Sequence, residues 1–544
     1  MEKIPDFIDF LLANDVEISP YVDICYAPSR GYHVLLSPEV KSSIARNTPL
    51  ARIPKTVVLS ASSSVLANLL PDQDQRSLAG LVLAYLTERA MGDRSPWFCY
   101  IDILPNREQS CLRFWDQGEL EWVRATDATD ILWAADEDLT EMYDTVAEPF
   151  FAAQGETIRA IIGENISWET FTSKETFADA VSVVAARCFE IDAFVGLGLC
   201  PVADLFNHSD HEDVRFETRF EVCEWCGSEN TCEHDAHAIR DAAGEDLDAG
   251  SPELEDGNID ELNDASVDAV DAADDDDDDN DDDEKDTCDI VVHRRIGFSR
   301  NSSVVQQTRE IFNSYGSLSN AQLLVKYGFA IRRNAHDYLS LEREVRSLYR
   351  EKGIPWHGVV DRHDNVGKGT NMEYLHSIQY ELEETNDEDE SAAHYGGVQH
   401  NRMANSDGKG ELKIDIHGRI SLRLWDRLVQ YCALTGSSPS RGAYHEILGI
   451  LNSAPKSLAN RLSGTSRHVI ETVLVVLGRR WDRYPDGGIS SAEYDYVISE
   501  EEVVASREVA DREYRKRNAL IVLANEKQML ELAKQRCEKA LGMA

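Results

Sequence analysis

Pro201-Val202-Ala203-Asp204-Leu205-Phe206-Asn207-His208-Ser209 is one of two short stretches on which the reading of this chain turns. The other is Asn313-Ser314-Tyr315-Gly316-Ser317-Leu318-Ser319-Asn320, running on through Leu323 and Leu324 to Tyr327-Gly328-Phe329. Taken alone, each signal is modest. An isolated Asn-His-Ser is more often a capped turn with a satisfied histidine than a site, and a single buried tyrosine is more often packing than chemistry. The nine-residue context around Asn207-His208 reverses the first judgement. Two tyrosines spaced around Ser-Asn and Leu-Leu reverse the second.

In this order, the two stretches resemble the two halves of the active centre of SET-domain methyltransferases, in the branch typified by the Rubisco large-subunit methyltransferases. The resemblance implies methyl transfer from S-adenosylmethionine to a protein side chain, usually lysine. It assigns Tyr315 as the catalytic tyrosine nearest the transferred methyl and Tyr327 as a second tyrosine lining the lysine channel. Asp204 matches a position whose backbone carbonyl faces the target amine. Asn207 and His208 match the pair that lies against the cofactor. Such a reaction asks little covalent chemistry of the protein. Donor and acceptor must be held on opposite sides of a narrow passage, and burial must help the amine lose its proton.

Three further features extend the match. Arg187, in Ala185-Ala186-Arg187-Cys188-Phe189, resembles the family's Ser-Arg-x-Phe with Ala186 in place of serine. An arginine on an apolar segment needs a partner; the cofactor carboxylate and a buried structural carboxylate both qualify. Arg30 and Gly31, in Ser29-Arg30-Gly31-Tyr32, stand where the family carries a glycine-rich cofactor loop, although here the loop is poorer in glycine. Ile53-Pro54 and the run from Ser95-Pro96-Trp97 to Leu104-Pro105 fit the same pattern. The resemblance covers about Phe7 to Phe329. The C-terminal helices look like the family's substrate-binding domain, with Asn518-Ala519 and Glu526-Lys527-Gln528 to Leu530 as a weaker match.

The implied fold class is α+β. A SET-type β core of small sheets occupies 1–340, with a helical insertion over 78–199, and a mostly helical domain follows over 341–544. Phe7–Ser60 reads as short strands and turns, with strands at Tyr32–Leu36 and Leu50–Ile53; Val214–Phe220 and Ile290–Val292 also read as strands, and Leu412–Ser421 as a small hairpin. Leu78–Ala90, Phe177–Ile191, Leu422–Leu434, His468–Trp481 and Glu500–Leu541 carry helical spacing. Residues 386–410 read as a polar loop. Residues 221–289 form an interruption: a Cys/His loop and then an acidic tract.

Roughly half of the formal charge of −45 falls between Asp235 and Thr287. Like-charge repulsion with few aromatics predicts a disordered tract there, and its removal is expected to leave turnover on a small peptide nearly unchanged. So acidic a chain repels phosphates, which argues against direct nucleic-acid binding. No apolar run approaches a membrane span, and no basic leader precedes an apolar one. The expectation is a monomer in the cytoplasm, the nucleus or both. Eleven scattered cysteines suit free thiols in a reducing compartment.

Cys223, Cys226, Cys232 and His234 depart from the family pattern. Three thiols and an imidazole in so short a segment suit tetrahedral zinc, here structural. A loop of free cysteines remains equally open. Three functional readings follow from the sequence. The first is a lysine N-methyltransferase acting on a non-histone protein, such as a ribosomal protein or translation factor. The second is a histidine methyltransferase on the same scaffold. The third is a non-catalytic binding module that recruits basic partners through the acidic tract.

Overall fold

The computed structural model describes residues 3–27, 31–40, 42–164, 166–229, 232–234, 286–296, 309–354, 356, 412–435, 464–485, 488–494 and 507–543. Arg30, the acidic tract over 235–285 and the polar loop over 386–410 lie outside these residues.

The β core consists of small antiparallel sheets. The largest has the order β1-β4-β9-β8, where β1 is Glu17–Ile18, β4 Pro49–Pro54, β8 Val214–Thr218 and β9 Thr287–Val292. Strand β9 is central, pairing Ile290 with Ala51 on one side and with Phe216 on the other. Its alternate residues Cys288, Ile290 and Val292 are fully buried, the period-two pattern of a strand with one face on a core. Strands β2 (Val22–Ala27) and β3 (Gly31–Leu36) form a hairpin-like pair. Strands β5 (Leu59–Ser60), β7 (Gly196–Leu199) and β6 (Cys188–Asp192) form a third sheet.

Against these sheets packs the helix Leu78–Met91, started by the Ser77 side chain, which accepts the Gly80 N–H at 3.1 Å. Residues 78 to 88 are all buried. A helix apolar on every face belongs inside a domain, and this one is surrounded by the core that runs from Phe7 to Ile311. A second core, Leu339 to Leu541, fills the C-terminal lobe around the helix Arg507–Leu541. A third, smaller cluster joins them through Leu112, Trp115, Leu324, Ala519 and Val522. Among the described residues no helix is long and apolar enough to cross a membrane.

The structure differs from the sequence reading in three places. The chain begins with a helix, Ile4–Ala13, where strands and turns were expected, because Phe7 and Leu11 stack on one face and bury there. The helical run of the insertion ends at Ala185. Residues 188 to 192 form strand β6, paired antiparallel with β7, where a Cβ at Gly198 would lie 2.4 Å from Val58 and 3.0 Å from Ile191. The expected hairpin over 412–421 forms, with the Asp415 N–H on the Arg419 carbonyl and the Ser421 N–H on the Lys413 carbonyl, and its first strand Lys413–Asp415 (β11) also makes an unforeseen ladder with Tyr338–Ser340 (β10).

Gly328 ends the helix Asn320–Tyr327 in a left-handed conformation with φ +78°. Its N–H reaches the carbonyls of Leu323 and Leu324, and a Cβ there would lie 2.3 Å from the backbone of Ser110. Both φ and space therefore require glycine. Gly328→Ala is expected to cost about 2–3 kcal/mol, from left-handed strain plus the clash. Urea unfolding would measure it, and a loss under about 0.5 kcal/mol would mean that this junction yields easily.

Candidate active site

The two decisive segments meet. His208 and Asn313 form a parallel bridge, in which the Asn313 N–H donates to the Asn207 carbonyl at 2.8 Å and the Ser209 N–H donates to the Asn313 carbonyl at 3.0 Å. Strand β3 lies beside them, with the Ile311 N–H on the Val34 carbonyl at 3.0 Å. The Asn207 side-chain amide donates to Glu310 Oε1 at 2.7 Å, so the turn and the incoming strand are tied by side chains as well. The turn before them is tight. Val202 adopts φ +75°, and Ala203–Leu205 coil into a short 3-10 turn.

Tyr315 sits at the centre of this junction. Its N–H donates to His208 Nδ1 at 3.0 Å, and its hydroxyl lies 3.4 Å from the Phe206 carbonyl. Its ring stacks on His208 at 5.1 Å and on Tyr327 at 4.7 Å between centroids. Phe329 closes the group, 6.0 Å from His208 and 6.1 Å from Tyr327. Burial pushes the Tyr315 and Tyr327 phenols up, so both stay protonated donors. Burial also lowers His208 to about 4, against the pull of Asp210. The imidazole is therefore neutral at physiological pH, and Nδ1 keeps the lone pair that accepts the Tyr315 N–H.

That depressed value has a sign. As pH falls below 6.5 the unfolded chain takes up the His208 proton before the folded one. Stability tied to His208 is thus complete above pH 6.5 and drains away down to about pH 4. The melting temperature of His208→Asn should fall less steeply from pH 7 to pH 5 than that of the wild type, by about one proton's worth of slope. Parallel profiles would assign that proton elsewhere.

Asp204 is buried, and Tyr100 donates its hydroxyl to Oδ2 at 3.0 Å. Its Oδ1 has no hydrogen-bond partner among the described residues. Burial raises the carboxyl to about 6, although Arg187 pulls the other way. Arg187 Nη2 pairs with Glu108 Oε1 at 2.6 Å. Burial opposes its charge, but the Glu108 and Asp204 carboxylates outweigh that and hold it cationic. Arg187 thus has a carboxylate partner in the half-buried Glu108. Gly31 opens β3 with φ +69°, and nothing lies within 4 Å of where its Cβ would stand.

Cys223, Cys226, Cys232 and His234 are gathered at one point on the loop after β8, with all four ligand atoms within 4.8 Å of one another. They form a cluster separate from the tyrosine group.

Several partners in this centre carried no sequence signal as site residues. Glu108 and Glu310 sit among other polar residues and Tyr100 in an apolar run, and only the fold brings them to Arg187, Asn207 and Asp204. The C-terminal lobe contributes too. Asn518 Oδ1 accepts the Ala330 N–H at 3.0 Å, just after Phe329. Asn525 joins Asn320 on the buried Asp337 at 3.0 and 2.9 Å, holding the start of the helix that carries Tyr327.

No protein-family model matches the chain. It is 27% identical over 399 residues to ribosomal lysine N-methyltransferase 3 of Saccharomyces cerevisiae, across 67% of this chain and 68% of that protein. An uncharacterized protein of Schizosaccharomyces pombe is 23% identical over 226 residues, 38% of this chain and 43% of that one. The structure is similar to the SET domain of LSMT bound to lysine and AdoHcy, with a TM-score of 0.53 at 13% identity, covering 99% of this chain and 91% of that one. It is similar also to Rubisco LSMT bound to AdoMet, with a TM-score of 0.51 at 13% identity over 99% and 93% of the two chains. The likeness read from the two motifs is borne out, and the chain carries the SET-domain fold of the Rubisco LSMT type.

Proposed function

We propose that this chain is an S-adenosylmethionine-dependent protein-lysine N-methyltransferase and that its substrate is a ribosomal protein. The observation that carries the reading is Tyr315, held by its N–H on His208 and by its hydroxyl near the Phe206 carbonyl, in an aromatic wall with Tyr327 and Phe329. The yeast relative's ribosomal substrate supports the choice of acceptor.

Bound S-adenosylmethionine would supply an electrophilic methyl and leave as a neutral thioether. The chain's own residues fit that partner. Gly31 leaves open space at the start of β3, which packs on the Ala203–Leu205 turn. On the same turn, Asp204 keeps a buried oxygen without a partner among the described residues. Asn207 and His208 would bind the cofactor beside that turn, and Arg187 would face it while keeping Glu108. The aromatic wall excludes water from the amine, which favours its neutral, nucleophilic form. Its π faces also attract the methylated ammonium product. The Tyr315 hydroxyl and the carbonyls of the Asp204–Phe206 turn orient the amine lone pair, and Tyr327 narrows the passage. In this reading the protein works as a monomer in the cytoplasm or nucleus.

The test is incubation of the protein with labelled S-adenosylmethionine and ribosomal subunits, followed by mapping of the labelled residue. Label on a lysine is the expected result. Label on a histidine would select the alternative acceptor, and failure to bind S-adenosylmethionine would select the binding-module reading. Asn207→Ala removes the Glu310 tie that shapes the turn. It should weaken S-adenosylmethionine binding about tenfold, ~1.4 kcal/mol, along with the rate. Unchanged affinity by calorimetry would remove Asn207 from the cofactor turn.

A further inference from the structure

We propose that Cys223, Cys226, Cys232 and His234 bind one zinc ion, through three sulfurs and His234 Nδ1, and that this ion clips shut the neck of the acidic insertion. His234 Nδ1 lies 3.6 Å from Cys223 Sγ and 3.6 Å from Cys232 Sγ. A tetrahedral zinc with Zn–S of about 2.3 Å and Zn–N of about 2.0–2.1 Å places a sulfur and a nitrogen ligand about 3.6 Å apart. The four donors converge from two short half-sites.

The backbone around the first half-site is shaped for this. The Gly227 N–H donates to the Cys223 carbonyl at 2.8 Å, and the Cys223 N–H donates to the Ser228 carbonyl at 2.9 Å. That closed turn aims Cys223 and Cys226 the same way and requires φ +71° at Gly227. A Cβ on Gly227 would press on the Phe194 ring at 3.1 Å, so the turn also sits directly on the β6–β7 connection. Arg76 secures the contact, reaching the Ala193 carbonyl at 3.0 Å and Glu224 at 3.3 Å.

The position of the cluster gives the ion its role. Lys55 Nζ holds the Arg219 carbonyl at 3.1 Å, Asp286 at 2.8 Å and Asp192 at 2.7 Å. One buried ammonium thus pins the chain where it leaves the core after β8 and where it returns before β9. The Cys/His loop stands immediately beyond that pin, on the outgoing side. A metal there fixes the outgoing loop to the core beside the β6–β7 connection.

The experiment is metal analysis of the full-length protein purified without chelator, with cobalt substitution as the second measurement. The expected results are about one zinc per chain and intense visible absorption from the cobalt protein, the signature of a tetrahedral thiolate-rich site. Cys223→Ser/Cys226→Ser should lose the metal and expose the loop to protease about tenfold faster. It should keep S-adenosylmethionine binding, because none of the four donors belongs to the tyrosine centre. Metal-free protein with three freely titrating thiols here, or with a Cys223–Cys226 disulfide, would overturn the site. Loss of S-adenosylmethionine binding together with the zinc would overturn its confinement to the neck.

Discussion

Tyr315→Phe should fold like the wild type, bind S-adenosylmethionine as well, and turn over about 100-fold more slowly or worse, ~2.7 kcal/mol on the barrier. The change keeps the ring, and with it the stacks on His208 and Tyr327. The Tyr315 N–H on His208 is backbone and survives too. Only the hydroxyl near the Phe206 carbonyl is removed. That bond is long in the resting protein, so it contributes little to stability. Its worth comes when an amine sits in the passage and the hydroxyl helps to fix its lone pair. The loss should therefore appear in kcat more than in affinity for either partner. Single-turnover kinetics on a verified substrate would separate the two. Wild-type turnover in the variant would mean that the assigned centre is wrong.

Arg480→Ala should produce the largest loss of stability, about 3–5 kcal/mol. Arg480 is fully buried between the lobes. It donates to Asp127 at 3.2 Å, to Glu526 at 2.8 Å and to the Ala125 carbonyl at 2.6 Å. Asp127 in turn accepts the Ser340 N–H, and Glu526 accepts the Asp127 N–H and the Tyr484 hydroxyl. Without the guanidinium, two carboxylates remain buried beside each other with no countercharge. Burial, helped by Glu526, already raises Asp127 to about 7. A carboxyl raised above its ordinary value stabilises the fold in acid, and that stability is lost as pH climbs through the folded value. The deficit of Arg480→Ala should consequently shrink toward pH 5 and grow toward pH 8. Urea titrations at both pH values would show it, and a deficit below about 1 kcal/mol at each would mean that water enters the junction and solvates the pair.

The legible part of this protein was the part whose chemistry is local. Asn207-His208 and Tyr315 carried a signal because each lies in a contiguous motif, Pro201–Ser209 and Asn313–Phe329, that resembles a family pattern. The strands around Val34, Ala51 and Ile290 were readable for a similar reason, since alternation of buried positions is written residue by residue. The opening helix was missed because its apolar stripe is short, with Phe7 and Leu11 as its only buried positions. Strand β6 was absorbed into the preceding helix because Phe177–Ile191 keeps apolar residues at both periods, and the pairing with β7 that makes it a strand is not written in that segment. The partners Glu310, Tyr100 and Glu108 were beyond reach of any local reading. Each is selected by a contact across the fold, from Asn207, Asp204 and Arg187 respectively. The Arg480 junction is similar, because its anchors come from two stretches far from it in the chain, Ala125 with Asp127 and then Glu526.

The central place of β9 bears on how the protein is made. Strands β4 and β8 do not pair with each other; both pair with β9. On the ribosome, β8 emerges with Val214 and Phe216 ready for burial, and its sheet partner β9 has not yet been synthesised. Translation of the intervening segment takes on the order of ten seconds. Through that interval two apolar strand edges stand open to mispairing. The residues appearing next are densely acidic, and a nascent chain carrying that charge beside its open edges repels other chains like it. Once β9 arrives, length alone costs little, since each doubling of a connection adds only about 0.6 kcal/mol of closure entropy. The insertion can therefore be long without burdening the finished enzyme, and its charge can shield the unfinished one.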